Sequence, residues 1–313
     1  LQYNYQLRPE FLRTMASANW SYKWTQRQKI QHRIDLINIA FLYLPRISER
    51  FKEDYINKGQ NHIFQYNYQD RLIINMGYSY NYNSVGGSII NNTIASNSYS
   101  MYALSKAANI RKNSNGEYAI LGIPYAQYLK GEFDFAKNIR IDYRNSFAFH
   151  AGVGIAVPYG NAKTIPFEKQ YFSGGANSVR GWSVRDLGPG SFAGNGNLLD
   201  QSGDIKLDAS IEYRSKLFWK FQGAVFIDAG NIWTIRSYAN QPGGVFKFDR
   251  FYKQIAVAYG LGLRLDLDFF ILRFDGGMKA VNPAYETRKE HFPIIHPKFS
   301  RDFAFHFAVG YPF

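Results

Sequence analysis

The sequence predicts an all-β protein, an antiparallel transmembrane β-barrel, and three observations predict it. Long stretches alternate apolar and polar residues with a period of two, which gives each strand two unlike faces. No run approaches the roughly 20 apolar residues of a membrane helix, yet 18% of the 313 residues are aromatic, the weak signature of a membrane barrel. Short connections alternate with long ones, as they do around outer-membrane barrels. A water-soluble sandwich with the apolar faces as its core is the alternative this pattern leaves open.

Along the chain, Tyr3 to Leu7, Ala16 to Trp24 and Ile30 to Leu44 read as strands, the last with mixed parity, and Gln26 to Lys29 as a turn. The charged stretch from Arg46 to Lys58 suits one or two helical turns. From Phe64 to Tyr82 the even positions stay apolar except at Asp70, so this is one long strand, or two if Asp70 marks a turn. The stretch 85 to 95 is assigned to a connection, long for a turn, and Tyr99 to Ile110 to a weaker strand. Tyr125 to Asp142 and Phe147 to Val157 form a hairpin through Arg144 and Asn145. Beyond it, strands follow at 204 to 217, 221 to 233, 255 to 268, 269 to 279 and 303 to 313. In the first of these Ile211 and Tyr213 oppose Ser210, Glu212 and Arg214. In the last, Phe303, Phe305, Phe307, Val309, Tyr311 and Phe313 oppose Ala304, His306, Ala308 and Gly310. The count is twelve strands, or thirteen with a break at Asp70.

One stretch does not alternate. Phe167 to Gly190, FEKQYFSGGANSVRGWSVRDLGPG, is a long loop with five glycines and clustered aromatics, which argue against disorder. It contains Gly174 and Gly175, then Val179, Arg180, Gly181 and Trp182 in a row.

Other chemistry is thin. The formal charge of +13 is spread along the chain and interleaved with apolar residues, so no nucleic-acid stripe forms. There is no cysteine. His150 and His306 share the polar face, but two histidines do not make a metal site. No Ser, His and acid constellation stands out, so no enzyme activity, cofactor or metal is expected. Asp200 to Asp204 lacks the spacing of a calcium loop and reads as a solvated turn. The chain opens directly on a strand-like LQYNYQL, so it is expected to begin partway into a longer, exported protein.

The loop motif resembles the signature of the BamA/TamA outer-membrane insertase superfamily, which includes the two-partner secretion transporters. Phe226 to Trp233 (FIDAGNIW), Gly260 to Arg264 (GLGLR) and the ending FAFHFAVGYPF are similar to that family's motifs, in the same order. The Trp after Arg180-Gly181, with PYGN and LGPG nearby, most resembles members from the Bacteroidetes lineage. The resemblance implies a bacterial outer-membrane location. It also implies a 16-stranded barrel of which residues 1–313 supply about twelve strands, with the first strands and periplasmic POTRA domains outside this sequence. It further implies that the long loop folds into the lumen, where Arg180 meets acidic wall positions, Asp228 or Glu212. Gly181 would permit close backbone approach, and Trp182 would wedge the tip. Phe305, Phe307, Gly310, Tyr311 and Phe313 would carry the insertion signal and a weak seam. The implied partners are outer-membrane lipid and lipopolysaccharide, client outer-membrane proteins, and accessory lipoproteins or a periplasmic partner. The implied function is outer-membrane protein assembly, with a two-partner secretion or porin-like channel as the alternative.

Overall fold

The computed structural model describes residues 1–7, 11–49, 70–83, 88–96, 116–120, 123–194 and 200–313. The expected strand at 99 to 110 and most of the charged stretch after Arg46 lie outside these residues. Among the described residues the strands are β1 (Gln2–Leu7), β2 (Phe11–Gln26), β3 (Ile30–Ile47), β4 (Arg71–Asn83), β5 (Ser88–Ser96), β6 (Ala119–Ile120), β7 (Ile123–Pro124), β8 (Tyr128–Arg140), β9 (Asn145–Pro158), β10 (Ile205–Lys216), β11 (Phe221–Trp233), β12 (Ala256–Asp266), β13 (Ile271–Val281) and β14 (Phe303–Val309). Twelve belong to one sheet, and β6 pairs with β7 in a separate hairpin. No described helix is long and apolar enough to cross a membrane.

The chain divides into two compact units, described in turn. The first comprises Leu1–Asn81, Asn92–Gly131 and Ala156–Gln170. In it β2 and β3 pair antiparallel, closed by a tight turn in which Arg27 and Gln28 both take positive φ, 53° and 55°. They are the central residues of a tight turn closed by the Lys29 N–H on the Gln26 carbonyl at 3.3 Å, with the positive φ that matches the twist of the flanking strands. The mixed parity of β3 has a specific cause. Trp20 pairs with Ile37 and Ser21 with Asp35, so Leu36 is an extra, bulged residue that flips the alternation. Asp70 stands just before β4, where its carboxylate accepts the Leu44 N–H at 2.8 Å; the part of the expected strand from Phe64 to Gln69 lies outside the described residues.

The segment 85 to 95, expected as a connection, carries β5 instead. Its run of Ile89, Ile90, Thr93 and Ile94 is β-branched, and that propensity outweighs the flanking glycines and asparagines.

The second unit comprises Tyr82–Asn91, Glu132–Ile155 and Tyr171–Phe313. Here β9 through β14 pair antiparallel in chain order. Short turns join β8 to β9, β10 to β11 and β12 to β13, while long segments join β9 to β10, β11 to β12 and β13 to β14. The sheet is inside-out relative to a soluble protein. Val225, Ile227, Leu261, Phe305 and Phe307 are exposed, whereas Ser210, Glu212, Arg214, Asp228, Arg264, Arg273 and Asp275 are buried. A soluble sandwich would bury the first set and expose the second. The apolar band therefore faces lipid, and Tyr143, Phe218, Trp219 and Phe269 stand exposed at the short turns, as interfacial aromatics do.

The β8–β9 turn is held by one carboxylate. Asp142 accepts the Asn145 side-chain amide at 2.8 Å and the N–H groups of Arg144 and Asn145 at 2.7 and 2.8 Å. The Asn145 amide first, then these N–H groups, hold its carboxyl below the ordinary carboxylate range. A depressed acid stabilises the fold above its unfolded-state value and loses that contribution as pH falls through the folded value. Amide exchange at Arg144 and Asn145 should therefore stay protected down to ordinary carboxylate pH and rise only below it. Asp142→Asn should remove that pH dependence.

Candidate functional site

The site is built where the long loop meets the polar face of β10 to β13. Gly174 and Gly175 sit at φ +93° and +91°, a conformation other residues adopt at a cost. The turn they make lets the Gly175 N–H donate to the Trp182 carbonyl at 2.8 Å, so the loop doubles back on itself. A Cβ on Gly174 would stand 2.2 Å from the Ser183 carbonyl oxygen. The glycine pair thus closes a compact finger whose tip is Val179 to Trp182.

The apolar side of that finger is a small core in which Val179, Trp182 and Leu187 pack with Ala256 and Ala258 of β12. Small wall residues leave room for it: a Cβ on Gly181 would lie 2.8 Å from the Ala258 Cβ. Lys279 places its ammonium 5.2 Å from the centre of the Trp182 ring. After the finger, Gly190 donates to the Ile232 carbonyl at 2.8 Å, and the Asn231 amide donates to the Gly190 carbonyl at 2.9 Å. Beyond its tip the loop is thus zipped onto β11.

At the tip Arg180 is 1% exposed. Its guanidinium grips Asp228 with two parallel bonds, Nε to Oδ2 and Nη2 to Oδ1, each 2.8 Å, and its own backbone N–H donates to Asp228 Oδ2 at 3.0 Å. Nη1 donates to Glu212 Oε2 at 2.6 Å. The guanidinium also lies 3.4 Å from the centre of the Phe226 ring, and His306 of β14 meets the Arg180 carbonyl oxygen at 3.0 Å. Burial alone would lower the proton affinity of this arginine. The Asp228 hydrogen bond and the Asp228 and Glu212 charges outweigh it and raise the pKa above its ordinary value. The loop arginine remains a cation under any working condition.

The contact extends into a network that the motif did not announce. Arg264 bridges Glu212 at 2.9 Å and Asp275 at 2.7 Å. Arg214 reaches Glu212 at 2.7 Å, and Arg273 lies 3.4 Å from Asp275. Ser210 donates to Asp228. Four guanidiniums thus share three buried carboxylates. Strand register explains the need: Arg264 stands directly opposite Arg273, a like-charged cross-strand pair that is unfavourable by itself. Alternation alone places Arg264, Arg273 and Asp275 on the polar face, so parity was the signal available for them. Phe226 gave none, because an aromatic on a polar face reads as an exception.

The run Asp200 to Asp204, expected as a solvated turn, is buried instead. Asn240 donates to the Asp200 carboxylate at 2.5 Å, and Asp204 accepts the Ile235 N–H at 3.0 Å. Its carboxylates stitch the end of the long loop to the segment after β11.

The C-terminus departs from simple alternation. β14 stops at Val309, Gly310 takes φ +89°, and the last residues leave the strand. Phe305 and Phe307 stay on the exposed face. Tyr311 donates to Gln222 Oε1 at 3.1 Å and lies under the Arg214 guanidinium at 4.4 Å, and Phe313 stacks on His150 of β9 at 5.2 Å. The chain end thus lies on the polar face, over strands distant in sequence.

The profile of the Omp85 superfamily domain matches residues 8–313. The chain belongs to the Omp85 superfamily. Among its relatives, the outer membrane protein assembly factor BamA of Neisseria meningitidis is 35% identical over 95 residues, 28% of this chain and 11% of that one. The structure of BamA from Haemophilus ducreyi lacking POTRA domains 1–3 superposes with a TM-score of 0.61 at 16% identity, covering 96% of this chain and 55% of that chain. CdiB from Acinetobacter baumannii gives 0.53 at 14% identity, covering 96% and 42%. The chain thus spans about half the length of these solved structures. The BamA/TamA resemblance carried by the four motifs is in agreement with this membership, and the Omp85 fold is an outer-membrane β-barrel.

Proposed function

We propose that this Omp85 barrel is the membrane part of an outer-membrane assembly factor. In this reading it folds client β-barrels or surface proteins through a seam at its last strand and catalyses no chemical reaction. The observation that carries the reading is the finger at 174–182, held by buried charge on the polar wall. A loop fixed at this depth obstructs a lumen and braces the strands beside it, which suits a device that works at its wall and not through its centre. The short β14, seven residues against eleven to thirteen in β10 to β13, supports the seam. An incoming strand would pair with such an edge by β-augmentation. In the same reading POTRA domains precede this chain, and accessory lipoproteins or periplasmic partners dock on them.

The second reading, a two-partner secretion or porin-like channel, is favoured by the same barrel but asks the loop to move. Planar-bilayer conductance separates the two. The intact protein should be mostly closed, and removal of residues 174–186 should open steady conductance. A steady open channel with the loop intact would sink the assembly reading.

A further inference from the structure

A second charged feature lies apart from the polar-wall network. A cleft of about 800 Å3 opens between the long segments that follow β11 and β13, lined by Lys247, Arg250, Lys253 and Arg288. Against these four cations the lining holds one carboxylate, Glu286. Asp249 beside the cleft lies 3.4 Å from Arg250, and both are well exposed, so this pair neutralises little.

The cations are held in place. Phe246 and Phe251 pack edge-on against buried Trp233, the last residue of β11, at 5.6 and 6.3 Å. The Phe246 N–H donates to the Thr234 carbonyl at 2.9 Å, and the Phe251 N–H closes the 247–251 turn on the Lys247 carbonyl at 2.8 Å. On the other wall, Asn282, one residue past β13, donates to the His291 carbonyl at 2.8 Å and pins the short helix Arg288–His291 that carries Arg288. Both cationic groups therefore sit at the level of the strand ends. In an outer-membrane barrel the long loops face the exterior, so this level is that of the outer-leaflet head groups. Beside the cations, Phe248 and Tyr252 are 85% and 58% exposed, an arrangement of charge next to aromatic surface that fits an amphiphile better than an acidic protein segment.

We propose that this cleft binds the phosphate groups of an outer-leaflet phosphorylated glycolipid, lipopolysaccharide by class, with Arg250 and Arg288 supplying forked donors and Lys247 and Lys253 point charges. Phe248 and Tyr252 lie against its apolar part. The inference rests on the outer-membrane barrel and not on the assembly role, and binding is measured without any client, so either can fail alone.

The test titrates the purified chain in nanodiscs with diphosphorylated lipid A, with the same glycolipid stripped of phosphate, and with pyrophosphate. Two variants are compared with wild type, Lys247→Gln/Arg250→Gln/Lys253→Gln/Arg288→Gln and Phe248→Ser/Tyr252→Ser, each checked for an intact barrel by heat-modifiable migration. Wild type should bind the phosphorylated glycolipid, more weakly as salt rises. The charge variant should bind it at least tenfold more weakly, and removal of phosphate should have a similar effect. The aromatic variant should weaken the glycolipid several-fold while leaving pyrophosphate unchanged. Equal binding by wild type and charge variant, or equal binding of the stripped glycolipid, overturns the proposal. Displacement of the glycolipid by an acidic peptide at matched charge also overturns it, in favour of a protein partner.

Discussion

Arg180→Glu should release the loop from the barrel wall. The substitution places a third acid between Glu212 and Asp228 and removes the guanidinium that grips Asp228, while Glu212 keeps Arg214 and Arg264. Breaking a buried pair by removing one partner costs about 3–5 kcal/mol, which shifts the docked–undocked equilibrium by at least about a hundredfold. The chain contains no cysteine, so Val179→Cys, at a fully buried position of the tip, reports undocking directly. Its alkylation should be slow alone and faster by well over tenfold with Arg180→Glu. Adding Asp228→Arg should recover part of the protection, because the reversed pair again matches. An alkylation rate unchanged by Arg180→Glu would mean that the finger is held by its apolar side alone.

Gly277→Val should give the same release without touching a charge. Gly277 is a β13 residue whose added Cβ would stand 2.1 Å from the Arg180 carbonyl oxygen and 2.7 Å from its carbonyl carbon. Backbone at that distance cannot yield unless the whole tip moves. Overpacking of a fitted site typically costs about 1–3 kcal/mol, and here the strain falls on the docked state alone. The sheet itself accepts the change, since Gly277 faces only Gly260 and Ala304 across the neighbouring strands. Gly276→Val is the matched control, because its Cβ points at the movable Phe303 ring, 3.1 Å away. Heat-modifiable migration should be preserved in both variants, with rapid labelling at position 179 in Gly277→Val only. Rapid labelling in the control as well would trace the effect to the strand and not to the finger.

The strands of the second unit were legible because one face meets lipid and the other meets charge, so each residue's parity declares its side. β3 was less so: the extra residue Leu36 moves the side chains that follow it to the other face, a second register shift lies opposite Leu12 to Thr14, and nothing in the sequence marks either irregularity. β5 was hidden by its flanking Gly86, Gly87 and the asparagines, which read as turn residues until pairing overrides them. At the site, Arg180, Glu212 and Asp228 were reachable by motif and parity together. The remaining charges were visible individually on the polar face, but which cation meets which acid depends on cross-strand register, and register is not written in any one strand. The burial of Asp200 and Asp204 was missed for a related reason, since their partners Asn240 and Ile235 arrive from beyond β11.

The inward course of the last residues sets an order of events. Phe313 leans on His150, and Tyr311 on Arg214 and Gln222. Residues 311–313 thus complete their contacts only with strands that lie far upstream in the sequence. Until β9, β10 and β11 are in register there is no surface for the tail, and non-local contacts of this kind form slowly. Residues 311–313 are consequently among the last parts of this segment to find their places, ordered only once the middle of the sheet has been built.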